Sequence, residues 1–128
     1  EGQPLYEFGY GLSYTKFRYK SKGVNVEQDT VKVSFEVSNT GKYDGDEVAQ
    51  VYVKYPETGT YMPLKQLHGF KRVHIKKGKT SKVTIGVPKK DLRYWDEQER
   101  KFVTPKGEYT FMVGASSEDI KFRETVGL

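Results

Sequence analysis

Between residues 31 and 38 the chain reads Val-Lys-Val-Ser-Phe-Glu-Val-Ser. Alternation of this kind belongs to a strand with one face buried and one face wet, because successive side chains point to opposite sides of the backbone. The apolar set Val31, Val33, Phe35 and Val37 must then be covered by a second layer. Asn39-Thr40-Gly41 ends the run with turn chemistry.

The rest of the chain repeats this theme in short pieces. Phe17-Arg18-Tyr19-Lys20 alternates apolar and basic and is expected to stop near Gly23. Glu47 to Tyr55 puts Ala49, Val51 and Val53 on one face, with Val48, Gln50 and Tyr52 on the other. Pro56 to Pro63 reads as a loop. Residues 65–76 and 80–87 read as two more strands, joined by Lys77-Gly78-Lys79. Pro88 to Leu92 suits one helical turn with Pro88 at its first position. Residues 94–96 and 101–103 suggest a small hairpin around 97–100. Glu108 to Ala115 is a strand with Tyr109, Phe111 and Val113 inside, and Ile120 to Val126 closes the domain. Fourteen Val against two Ala favour pleated, half-buried surfaces over helices. Seven principal strands at short spacing, without a long amphipathic helix, predict an all-β chain folded as an antiparallel β-sandwich. Tyr109 is placed to form a tyrosine corner, its hydroxyl bonding back to the backbone.

Several side-chain groups invite a chemical reading. With no Cys, disulfides, thiolate zinc sites and a Cys nucleophile are excluded. His68 and His74 share parity on one predicted strand, but lie about 20 Å apart at strand rise and cannot share a metal ion. Asp44, Asp46 and Glu47 could recruit calcium, yet fit no EF-hand spacing and read better as a polar turn. Asp96, Glu97 and Glu99 crowd one turn beside Arg93, Arg100 and Lys101, which suits no pair of glycosidase carboxylates. Residues 71–82 hold Lys71, Arg72, Lys76, Lys77, Lys79 and Lys82 with Phe70 nearby. That is either a nucleic-acid patch or, better, two solvated strand faces joined by a basic turn. The net charge of +5 is modest for a nucleic-acid partner. No apolar run reaches the roughly 20 residues of a membrane span. Trp95 is expected inside the sandwich, with sugar stacking as the competing role. Catalytic residues, metal ligands and cofactors are expected to be none.

Residues 1–15, EGQPLYEFGYGLSYT, have no clean period. Leu5, Tyr6, Phe8, Tyr10, Leu12 and Tyr14 are too apolar for a solvated linker and point to an arm lying on another surface. The chain opens on Glu1 and shows no secretory leader, which suggests a processed or excised polypeptide.

The segment PLYEFGYGLSYTKF, residues 4–17, resembles the junction in glycoside hydrolase family 3 enzymes where an α/β domain passes into a fibronectin type III-like domain. Asn39-Thr40-Gly41, Gly45, Glu47-Val48, Gln50 and Tyr52-Val53 continue the resemblance. So do Pro63, Lys65, Leu67, Gly69-Phe70 and Gly78, then Leu92, Trp95-Asp96, Gly107 and Tyr109. Val113-Gly114, Ser116-Ser117 and Asp119-Ile120 complete it. His68 departs from the Lys or Arg common at its position. The resemblance implies a fibronectin type III or immunoglobulin-like sandwich over 16–128, with 1–15 as the tail of the preceding domain. It also implies a non-catalytic accessory role, packed against the catalytic domains of a retaining β-glucosidase or β-xylosidase through the six apolar arm residues. The catalytic Asp and Glu of that family lie in other domains. A periplasmic or secreted location follows from the same resemblance. Carbohydrate binding through Tyr43, Tyr55, Tyr61 and Trp95 is the alternative role.

Overall fold

The computed structural model describes residues 15–56 and 65–128. Seven long strands carry the fold: β1 (Phe17–Val26), β2 (Thr30–Asn39), β3 (Gly45–Lys54), β4 (Gln66–Ile75), β5 (Thr80–Pro88), β8 (Glu108–Ser116) and β9 (Asp119–Gly127). Two short strands, β6 (Tyr94–Asp96) and β7 (Lys101–Val103), form a hairpin between β5 and β8. The sheets run β1-β2-β5 and β4-β3-β8-β9, and every pairing is antiparallel. The expected antiparallel β-sandwich is therefore present. Its fourth strand pairs with the third, whereas the immunoglobulin constant-type arrangement sends that strand to the other sheet.

The core is where the alternation places it. Val31, Val33, Phe35 and Val37 face Ala49, Val51, Val53, Phe111 and Val113 across the sandwich, with Val83, Ile85 and Val87 beside them. Burying each such Val or Phe contributes about 1.5–3 kcal/mol. Phe35 stacks on Tyr19 at 5.8 Å and meets Phe122 edge-on at 5.8 Å, so β1, β2 and β9 share one aromatic column. Tyr109 is fully buried and its hydroxyl donates to the Pro105 carbonyl, the predicted corner.

The two outer faces differ. On β1-β2-β5, Ser34 meets Thr84 at 3.2 Å, Ser38 meets Thr80 at 2.7 Å, and Lys22 pairs with Glu36 at 3.8 Å. That is a face for water. On β4-β3-β8-β9, Val48, Gln50 and Met112 are buried although they lie outside the core cluster. Gln50 donates to the Ala115 carbonyl at 3.3 Å and accepts from the Tyr52 hydroxyl.

Two local expectations need correction. β1 does not stop at Gly23 but continues to Val26. Ser21 pairs with Phe35 and Gly23 with Ser34, so Lys22 is an extra residue, and Gly23 takes a φ of +100° that glycine adopts without cost. Pro88 is the residue before the short 3-10 turn Lys89–Asp91, not its first member, because its extended backbone still belongs to β5.

Candidate interdomain surface

The arm residues Leu5, Tyr6, Phe8, Tyr10, Leu12 and Tyr14 fall outside the described residues, as does Tyr61. The entry to β1, just past the arm, is anchored. Thr15 donates to Asn39 Oδ1 at 2.8 Å, and the Thr40 amide donates to the Lys16 carbonyl at 2.8 Å. Asn39 is buried and fully used: its amide nitrogen donates to the carbonyls of Tyr43 at 2.7 Å and Ile75 at 2.9 Å, and its oxygen also accepts from the Gly41 amide at 3.0 Å. The turn signal at Asn39-Thr40-Gly41 thus also fixes where the chain enters the sandwich.

The three carboxylates of the acidic cluster each go to different partners. Asp44 Oδ1 accepts from the Lys77 amide at 2.8 Å. Asp46 takes Arg72 at 2.7 Å and His74 at 2.6 Å, and these hydrogen bonds, His74 first, hold its carboxyl below the usual carboxylate range. Glu47 turns inward, where the Tyr19 hydroxyl donates to it at 2.9 Å. Burial raises the Glu47 carboxyl, and the Tyr19 hydrogen bond and the charge of Lys121 offset this only in part. Among the described residues no three His, Cys, Asp or Glu converge on a point that could hold a metal ion.

The histidines do not share a face as their parity suggests. Val51 pairs with Gly69 and Tyr52 with Leu67, leaving His68 as a bulged extra residue. The bulge shifts the alternation by one place. His68 turns inward to Tyr55, its Nε2 2.9 Å from the hydroxyl, while His74 stays outside on Asp46. Burial lowers the His68 pKa, with the charge of Asp91 opposing. Tyr55, a proposed sugar platform, is a buried member of the core instead.

The basic run is split by the topology. Lys71 and Arg72 belong to β4 in one sheet and Lys82 to β5 in the other, with Lys76, Lys77 and Lys79 in the turn between them. This matches two solvated strand faces rather than one basic platform.

Trp95 is the clearest correction. It is not buried in the sandwich but 46% exposed, directly opposite Phe102, which is 54% exposed. The rings meet edge to face at 5.2 Å and 77°, and the Arg93 guanidinium lies 4.4 Å from the Phe102 centroid. Trp95 pairs with Phe102 in a hairpin outside both sheets, so it lies on neither inner face of the sandwich. The Asp96 carboxylate is structural: its Oδ1 accepts from the amides of Gln98 at 2.9 Å and Glu99 at 3.1 Å, and the Arg100 amide donates to the Asp96 carbonyl at 2.7 Å. The signal available in the sequence was the cross-strand match of two aromatics in so short a hairpin.

Residues 47–117 match the fibronectin type III-like domain family. The chain belongs to that family. A probable β-glucosidase L from Aspergillus fumigatus is 38% identical over 92% of this fibronectin type III-like chain, and the match covers 18% of the relative. The structure of β-glucosidase 3B from Thermotoga neapolitana in complex with glucose superposes with a TM-score of 0.88 at 37% identity, covering 98% of this chain and 17% of that one. The GH3 β-glucosidase of Bifidobacterium adolescentis gives 0.84 at 36% identity, over 96% of this chain and 18% of that one. The domain thus spans about a fifth of the length of the relatives it matches.

Proposed function

We propose that this chain is a non-catalytic accessory domain of a larger retaining β-glucosidase of family 3, which it stabilises by packing against the catalytic domains. One observation carries the reading: nearly the whole chain aligns with one-fifth of much longer β-glucosidases. The chemistry of the described side chains agrees with it. Asp46, Glu47, Asp96 and His68 are each engaged in hydrogen bonds within the fold. A periplasmic or secreted location belongs to the same reading.

Tethering to a polysaccharide is the weaker alternative. It needs exposed, coplanar aromatics. Tyr55 is buried, the Trp95–Phe102 pair is crossed, and Tyr43 and Trp95 leave from opposite ends of the strands.

Two measurements test the accessory reading. The 128-residue chain should not hydrolyse aryl β-glucosides or β-xylosides. Deleting residues 16–128 from the full-length polypeptide should lower its thermal inactivation temperature. Turnover that stays with the purified chain, or a deletion without effect on inactivation, would overturn it.

A further inference from the structure

We infer that the β6–β7 hairpin is the tip by which this domain docks on another domain of its own polypeptide, with Trp95 and Phe102 as the anchors. The inference rests on the accessory-domain reading and names a second surface for it, at the end of the strands away from the arm.

The hairpin stands outside both sheets, and two strands of three residues do not hold themselves together in water. It is nevertheless held at both of its flanks and at its turn. Leu92, just before it, is fully buried in the core. Asp96 caps its turn through two backbone amides. Beyond it, the Tyr109 hydroxyl holds the Pro105 carbonyl. The fold thus positions this short element firmly, and what it presents are two large aromatic rings and a guanidinium. Trp and Arg are the side chains most enriched among interface anchors. The outer face of β1-β2-β5, by contrast, carries paired Ser, Thr, Lys and Glu.

The occupant is protein from the same chain rather than sugar or a second copy. The crossed rings offer no flat platform two sugar units long, and Arg93 lies against Phe102. Roughly four-fifths of each relative lies outside the aligned part, which supplies ample partner surface within one polypeptide.

The test uses the full-length polypeptide and its W95A/F102A variant, compared by hydrogen–deuterium exchange. The variant should exchange about tenfold faster or more in residues 93–104 and also in a segment outside residues 1–128, with β8 unchanged. Lys101 should cross-link to that same segment within one polypeptide. A response confined to the hairpin would overturn the inference, as would cross-links formed only between copies. So would protection of the hairpin by soluble β-glucan. These outcomes are separable from failure of the accessory role: there, deleting 16–128 would leave inactivation unchanged, whereas here the deletion would matter while the hairpin stays uncovered.

Discussion

The hydroxyl of Tyr19 on β1 donates to Glu47 Oε2 on β3 at 2.9 Å, a hydrogen bond that spans the two sheets at one end of the sandwich. Tyr19 also stacks on Phe35, and Lys121 lies 6.0 Å from its ring centroid. The pair places a carboxyl group where water is largely excluded, and its protonation becomes part of the stability of the fold.

Glu47 should therefore destabilise the domain as it ionises. Its folded pKa is raised, burial being the first cause. A raised pKa gives a contribution that is full below the unfolded value, about 4.3, and is lost as the pH rises through the higher folded value. Glu47→Gln keeps an acceptor for Tyr19 and removes the charge. It should stabilise by ~1 kcal/mol at pH 7 and lose that advantage near pH 4. Thermal unfolding across this range checks it; an unchanged or lower midpoint at pH 7 contradicts it.

His68 works in the opposite direction and in a higher window. Its folded pKa is lowered by burial. Its contribution is present above the unfolded value, about 6.5, and declines as the pH falls below that until the folded value is passed. His68→Gln should flatten the stability profile between pH 7 and 5. A wild-type profile that is already flat there contradicts this.

Tyr109→Phe should cost about 1–2 kcal/mol, because the half-buried Pro105 carbonyl loses its partner. Denaturant unfolding should show a lower midpoint with an unchanged slope. Burial also pushes the Tyr109 hydroxyl up to about 12, so it should not ionise at the ordinary phenol pH in a spectrophotometric titration.

Asn39→Asp is nearly isosteric yet should be severe. It replaces the two donors aimed at the carbonyls of Tyr43 and Ile75 with an oxygen. We expect a loss of about 2–4 kcal/mol, larger than for an exposed Asn, read from the denaturation midpoint. A loss under half of that would mean that the turn relaxes around the change.

Gly114→Ala and Gly127→Ala form a matched pair. A Cβ at Gly114 would press into the backbone of Asp119 and come within 2.8 Å of the Ile120 Cα, whereas one at Gly127 meets nothing within 4 Å. The first should cost ~3 kcal/mol and the second less than about 0.5. Equal effects would contradict the tight bulged turn between β8 and β9.

The architecture is readable because its signals are local. The alternation on β2, the turn at Asn39-Thr40-Gly41 and the Tyr109 corner each depend on residues close in sequence. The corrected expectations share another cause. Lys22 and His68 are extra residues, visible only when the partner strand supplies the register. The side-chain faces beyond each bulge therefore cannot be assigned from one strand. The size of Trp95 argues for burial, while the hairpin that carries it lies outside both sheets and leaves it exposed. Tyr55 differs the other way, as a ring beyond the regular part of β3 that the core nevertheless absorbs.

The pairing of β3 with β8, Gln50 opposite Gly114, has a consequence during synthesis. Hairpins β1–β2 and β3–β4 join neighbours in the chain and can close as soon as they are made. The four-stranded sheet cannot, because its second and third strands are separated by everything from β4 to β7. Until β8 leaves the ribosome, the core formed by β2, β3 and β5 lacks Tyr109, Phe111 and Val113. The nascent domain thus passes through a period of incompletely covered valines that ends only with its last two strands, and the longer that interval, the longer its exposure to aggregation.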